Sequence, residues 1–238
     1  MSAIEHLSPD EVAARLSGSP EERAALIREG AEAGVAEAQA VLGQMLLDQG
    51  DAAAGFAWFN RAAGQGHMMA LNMVGRCYDL GWGVAADKAR AAECFRIAAE
   101  QGLEWGMYNF ATALTLGEGV AEDRPAALDW FRKAAALGNA KAINYLGSFH
   151  EDGWVVARDL KAAAGFYARA AEGGDFRGQF NHARMLAAEG RTEEALLWIR
   201  RAAETATPAF REKAARWLRE GGIPALRESG ARAMEAAC

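Results

Sequence analysis

His6, His67, His150 and His182, with Cys77, Cys94 and Cys238, are the side chains of this chain best suited to hold a metal or act as a nucleophile. Their spacing supports neither role. Metal sites draw ligands from short, fixed intervals, and here the histidines fall in separate segments with no CxxC or HExxH pattern. GxSxG and a phosphate loop are also missing, and "GWG" at 81–83 follows no strand, so it is not a dinucleotide fingerprint. Glu118, Glu122 and Asp123 stand where carboxylates cap helices or face solvent. His150 and His182 occupy positions that are apolar in sister segments, which predicts core or semi-buried imidazoles with one hydrogen-bond partner each. No catalytic residue, metal or cofactor is expected. Aromatic rings and guanidinium groups, the types that dominate interface hot spots, are the other side chains able to hold a partner, and which of them reach a surface depends on the elements that carry them.

The elements that must position these residues repeat. "GWGVAADKARAAECFRIAAEQG" at 81–102 returns as "GEGVAEDRPAALDWFRKAAALG" at 117–138 and as "GWVVARDLKAAAGFYARAAEGG" at 153–174. The closing glycines Gly66, Gly102, Gly138 and Gly174 stand 36 residues apart, and the flanking units are 32 long because they omit a "GWGV"-type insert. Length variation confined to one place marks a surface loop between packed elements. Five units follow: 35–66, 67–102, 103–138, 139–174 and 175–206.

Each unit reads as two amphipathic helices. The first carries a small residue (Ala38, Ala70, Gly106, Ala142, Gly178), then Leu42, Val74, Phe110, Leu146 or His182, then a second small residue (Gly43, Gly75, Ala111, Gly147, Ala183), all on one helical face. Glycine inside a helix costs about 1 kcal/mol against alanine, so its recurrence predicts close helix–helix approach. The second helix carries Trp58-Phe59, Cys94-Phe95, Trp130-Phe131, Phe166-Tyr167 or Trp198-Ile199. Asp51, Asp87, Asp123, Asp159 and Thr192 stand at its N-cap, and the closing glycine suits a left-handed residue beyond its end. Pro9, Pro20 and Pro208 each follow Ser or Thr as first helical residues, and "SPDE" and "SPEE" read as capping boxes. Residues 1–34 and 207–238 are therefore charged capping helix pairs, helical over 9–17, 20–33, 208–220 and 224–236, and the whole is expected to be one continuous domain.

Composition narrows the function class. Alanine dominates a 51% hydrophobic content, which favours helix throughout. A net charge of −6 without a Lys/Arg block speaks against a nucleic-acid groove. No segment approaches the roughly 20 apolar residues of a membrane span, and no secretory leader is legible, so a cytoplasmic, reduced, monomeric protein is expected.

The pattern A-x-x-x-L-G, G-x-G-V, D-x-x-x-A, W-[FY]-x-[KR]-A-A-x-x-G, seen at its fullest in "NYLGSFHEDG" and "WFRKAAALG", resembles the Sel-1-like repeat, a relative of the tetratricopeptide repeat. His182 in place of Leu, Val155 in place of the second loop glycine and Cys94 in place of the first aromatic depart from it. The resemblance implies an all-α, right-handed superhelical solenoid of antiparallel helix pairs, with first helices lining a concave groove. It further implies a non-catalytic adaptor that binds a protein or peptide there. On such a groove the outward positions are Met69, Trp105, Lys141 and Arg177, then Asn72, Tyr108, Asn144 and Phe180, and one turn on Arg76, Thr112 and Arg184. Trp105, Tyr108 and Arg76 are its expected centre. A small molecule or glycan bound by the same aromatic groove is the alternative occupant. Trp82 and Trp154 mark loop tips that either pack on the helices or form a second binding edge.

Overall fold

The computed structural model describes residues 8–236, so His6 and Cys238 lie outside the described residues. The described residues form fourteen α-helices and one 3-10 turn, with no strand. The chain divides between Asp123 and Arg124 into two compact units. The first holds α1 (Pro9–Leu16), α2 (Pro20–Glu32), α3 (Ala36–Asp48), α4 (Ala52–Gly64), α5 (Met68–Leu80), α6 (Lys88–Glu100) and α7 (Glu104–Leu116). The second holds α8 (Arg124–Ala136), α9 (Ala140–Asp152), α10 (Leu160–Glu172), α11 (Phe176–Ala188), α12 (Thr192–Thr205), α13 (Pro208–Glu220), a 3-10 turn at Pro224–Leu226 and α14 (Arg227–Ala236).

Local chemistry sets the boundaries. Ser8 and Ser19 form reciprocal capping boxes with Glu11 and Glu22, with proline at the first helical position. Asp51, Asp87 and Asp159 cap α4, α6 and α10 through backbone amides three residues on. Thr192 does not cap. It is the first residue of α12, and the cap position falls to Arg191, which makes no side-chain cap bond and instead clamps Glu194 at 2.7 Å. The closing glycines are left-handed, with φ of 85° at Gly66 and 90° at Gly102 and Gly138.

Packing within a hairpin explains the paired residues of the second helices. Neighbours in sequence point about 100° apart on a helix. Phe59, Phe95, Phe131, Tyr167 and Ile199 therefore turn inward and are buried. The preceding residue lies half-buried with a cation one turn on above its ring: Arg61 over Trp58 at 4.3 Å, Lys133 over Trp130 at 4.0 Å and Arg201 over Trp198 at 4.5 Å. The inward ring requires the glycine opposite. A Cβ on Gly43, Gly75 or Gly147 would stand 2.8, 2.6 or 2.5 Å from Phe59, Phe95 or Tyr167. Gly106 and Gly178 meet the preceding hairpin in the same way, against Ala98 and Ala170.

The three long loops share one frame. In each, an amide beyond the first helix donates to a carbonyl of its last turn (Trp82 to Cys77, Glu118 to Ala113, Trp154 to Phe149), and Asp87, Asp123 and Asp159 close the loop onto Tyr78, Leu114 and His150.

Candidate functional site

First helices of neighbouring repeats meet side by side within each unit, α5 with α7 and α9 with α11. On this seam the structure corrects two expected groove residues. Asn72 and Asn144 are buried rather than outward, each accepting a hydrogen bond from the next repeat's Asn109 or Asn181 at 2.8 and 2.9 Å. A short amide facing a neighbouring helix is satisfied there and has no reason to face a ligand. Phe180 lies mostly beneath α13, 8% exposed, and keeps an edge on the surface between α11 and α13. Met69 and Arg177 are exposed, while Arg76, Trp105, Tyr108, Thr112, Lys141 and Arg184 are half-buried.

Around the first pair, Trp105 and Tyr108 meet edge to face at 6.3 Å. Arg76 lies over Trp82 at 4.9 Å, so this loop tryptophan packs onto its own helix. Trp154 does likewise, edge-on to Phe149 and beneath Arg124. A small cavity of about 90 Å³ opens beside Arg76, Asn109 and Thr112, and its charges balance internally: Lys88 Nζ donates to Asp79 at 2.6 Å and to Glu118 at 2.9 Å.

Around the second pair, Arg184 reaches from α11 to Glu151 of α9 with both terminal nitrogens, at 3.1 and 2.9 Å, and also donates to Asn181. The Tyr167 hydroxyl donates to the same carboxylate at 2.6 Å. Burial pushes the Glu151 carboxyl up, but the hydrogen bonds from Arg184 and Tyr167 outweigh it and hold the group below the usual carboxylate range. Burial and the Glu151 bond together raise the Tyr167 phenol.

Beyond Arg184 the surface opens into a cleft of about 550 Å³ between α11 and α13. Its floor is aromatic. Phe180 meets Phe210 edge to face at 5.7 Å and Trp217 at 5.8 Å. Arg177 extends above Phe210, Arg184 above Trp217, and Lys213 and Asn181 complete the walls. Among the described residues no carboxylate lines it. Sequence reasoning assigned Arg177, Phe180 and Arg184 but missed Phe210, Lys213 and Trp217. Those three stand at i, i+3 and i+7, one face of α13, a spacing that was legible in a segment read only as a charged cap.

The other chemical candidates among the described residues are structural: His67 caps α5, accepting from the Ala70 amide and meeting Glu37 at 2.8 Å. The His150 ring stacks on Phe166 at 5.3 Å and His182 meets Trp198 edge-on at 5.4 Å. Both Nδ1 atoms are buried without a hydrogen bond among the described residues, so ring contacts hold these imidazoles where a hydrogen-bond partner was expected. Burial lowers the His182 pKa. The Cys77 thiol is buried and pushed up to about 11, which leaves it a poor nucleophile. Among the described residues no group of three or more His, Cys, Asp or Glu side chains is placed to hold a metal, and no helix is long and apolar enough to cross a membrane.

The family description "Sel1 repeat" matches residues 36–67, 69–103, 106–139 and 140–175. Among solved structures, the chain is similar to a protective antigen of uropathogenic Escherichia coli with an SLR fold, at 26% identity and a TM-score of 0.68. That match covers 96% of this chain but 52% of the antigen, so the chain spans about half its length. A Sel1 repeat protein from Oxalobacter formigenes is 25% identical with a TM-score of 0.68, covering 86% of this chain and 88% of the other. A Sel1 repeat protein from Klebsiella pneumoniae is 21% identical with a TM-score of 0.58, covering 81% and 98%. No curated protein matches the chain significantly.

Proposed function

Because the chain belongs to the Sel1 repeat family, whose members are generally protein-interaction scaffolds, we propose that it is an adaptor that captures a segment of a partner protein on its first-helix faces. The observation that carries this reading is the cleft between α11 and α13. It joins a floor of three aromatic rings to cationic walls and is larger than a side chain requires. Aromatic anchors ringed by arginine concentrate binding energy, since burying an aromatic against such a floor contributes about 1.5–3 kcal/mol. The smaller cavity at Arg76 supports a weaker contact, because its charges already neutralise one another.

Capture from a lysate of the native host, compared between the full chain and a Trp217→Ser, Lys213→Glu double variant and read by quantitative mass spectrometry, tests the reading. A defined protein should be lost from the variant while its melting temperature stays close to that of the parent. Equal recovery on both baits would overturn it. An Arg76→Ala, Trp105→Ala, Tyr108→Ala triple variant should weaken capture less than the cleft variant if the α11–α13 cleft is the principal anchor.

A further inference from the structure

The charges in the cleft point to the chemistry of its occupant. The chain as a whole carries a net charge of −6, yet among the described residues no carboxylate lines this surface. Its three cations are not equivalent. Arg184 is already paired with Glu151, so it serves as a fixed, neutralised wall. Arg177 and Lys213 are exposed and form no salt bridge among the described residues, although burial pushes up the carboxyl of Asp175, two residues before Arg177, and the Arg177 charge offsets part of that rise. Arg177 lies over Phe176 at 4.6 Å and within 5.7 Å of Phe210, which holds its charge at the edge of the apolar floor. Lys213 stands one helical turn before Trp217, on the opposite wall. Two exposed cations outside any salt bridge therefore flank one apolar trough, and the ligand that satisfies both features carries negative charge on either side of a large apolar group.

We propose that the α11–α13 cleft takes an acidic segment of a partner protein in which an aromatic or large aliphatic side chain lies between carboxylates. The apolar side chain seats on Phe180, Phe210 and Trp217, and the carboxylates meet Arg177 and Lys213. This assignment rests on the adaptor reading and adds the partner's chemistry to it. Charge-assisted bonds at the cleft rim would set selectivity and association rate, with the floor supplying most of the affinity.

The test is a selection of random displayed peptides, each a dozen residues long, on the full chain. It is followed by fluorescence anisotropy with a synthetic heptapeptide in which phenylalanine is flanked on each side by aspartates. Enrichment of acidic peptides with a central aromatic or large aliphatic residue is expected. Binding of the heptapeptide should fall about tenfold or more in Lys213→Glu, and likewise between about 50 mM and about 500 mM salt. Arg177→Gln should weaken it independently; glutamine is chosen because a new carboxylate beside the buried Asp175 would strain the fold. Enrichment of peptides without acidic residues, or equal binding by Lys213→Glu, would overturn the chemistry and leave the adaptor reading standing. Enrichment of no peptide would overturn both. Phenylacetate binding as tightly as the heptapeptide would overturn the proposal in favour of a small-molecule pocket.

Discussion

The α5–α7 and α9–α11 pairs are built on the same register, and both are bridged by an asparagine amide, yet their charged residues are spent differently. In the first pair the acid, Asp79, is met by Lys88 from the start of α6, at a site where the lysine side chain is 44% exposed. In the second, Glu151 is met by Arg184 from the neighbouring first helix and by Tyr167 from α10, with both ionic side chains near 20% exposed. One network is a solvated clip, while the other ties three helices together and hands a rigid wall to the cleft beside it. Their loops differ as well. Gly83 and Gly119 are left-handed, and a Cβ on either would overlap the backbone carbonyl of Ala52 or Lys88 in the preceding repeat. The corresponding residue of the third long loop is Val155, also left-handed at φ 64°. The lesson is that a repeat register fixes where side chains go but not what they are used for.

The largest effect that would sharpen the contrast comes from Gly147. Gly147→Ala puts a methyl into the Tyr167 ring and pushes the hydroxyl off Glu151, so a loss of about 3 kcal/mol in urea unfolding is expected. Gly75→Ala displaces Phe95, which holds no such bond, and should cost nearer 2 kcal/mol. Equal losses would deny the Tyr167–Glu151 link any weight.

Arg184→Met comes next. It leaves a half-buried carboxylate without its cation, and about 2 kcal/mol should be lost at neutral pH. The pH dependence has a fixed sign. The folded Glu151 value lies below the unfolded one, so its contribution is full above the unfolded carboxylate value and disappears as pH falls through the folded value. Removing Arg184 takes away the hydrogen bonds that most favour the carboxylate and lets burial push the group up. The stability gap between parent and variant should therefore be widest above about pH 5 and close on acidification. A gap that does not change down to pH 3 would show that Glu151 is not the group Arg184 serves.

Val155→Gly should act in the opposite direction. A β-branched residue in the left-handed region is unfavourable by about 1–2 kcal/mol, part of which glycine forfeits to its freer unfolded chain. A gain of about 1 kcal/mol is expected in the same unfolding measurement. The amide of Val156 donates back to the Trp154 carbonyl at 2.7 Å across this residue, so no other bond needs to change.

The hairpins were legible because each depends on local signals: Asp51, Asp87 and Asp159 as caps, the left-handed closing glycines, and the inward ring facing a first-helix glycine. Thr192 was misread because Arg191 closes onto Leu186 one residue earlier, a matter of loop geometry that composition does not carry. Asn72 and Asn144 were misread because polarity suggests solvent, and only the register of the adjacent helix supplies the amides of Asn109 and Asn181. Half of the cleft was legible in Arg177, Phe180 and Arg184. The other half lay in a segment whose charge suggested a cap, although Phe210, Lys213 and Trp217 share one face of it.

The smallest expected effect is also the sharpest control on the comparison. Lys88 bridges Asp79 and Glu118, and its replacement by Met leaves two carboxylates near each other with no cation between. Lys88 and Glu118 are well hydrated and Asp79 is 30% exposed, and exposed ion pairs contribute about 0–1 kcal/mol, so Lys88→Met should cost about 0.5 kcal/mol at low salt. At about 1 M salt the Debye length falls to about 3 Å and the cost should vanish. The Arg184→Met loss should survive the same salt, because its carboxylate is shielded by protein and not by water. If both losses fade together, the two networks are alike and the rigid wall ascribed to Glu151 and Arg184 is only another surface clip.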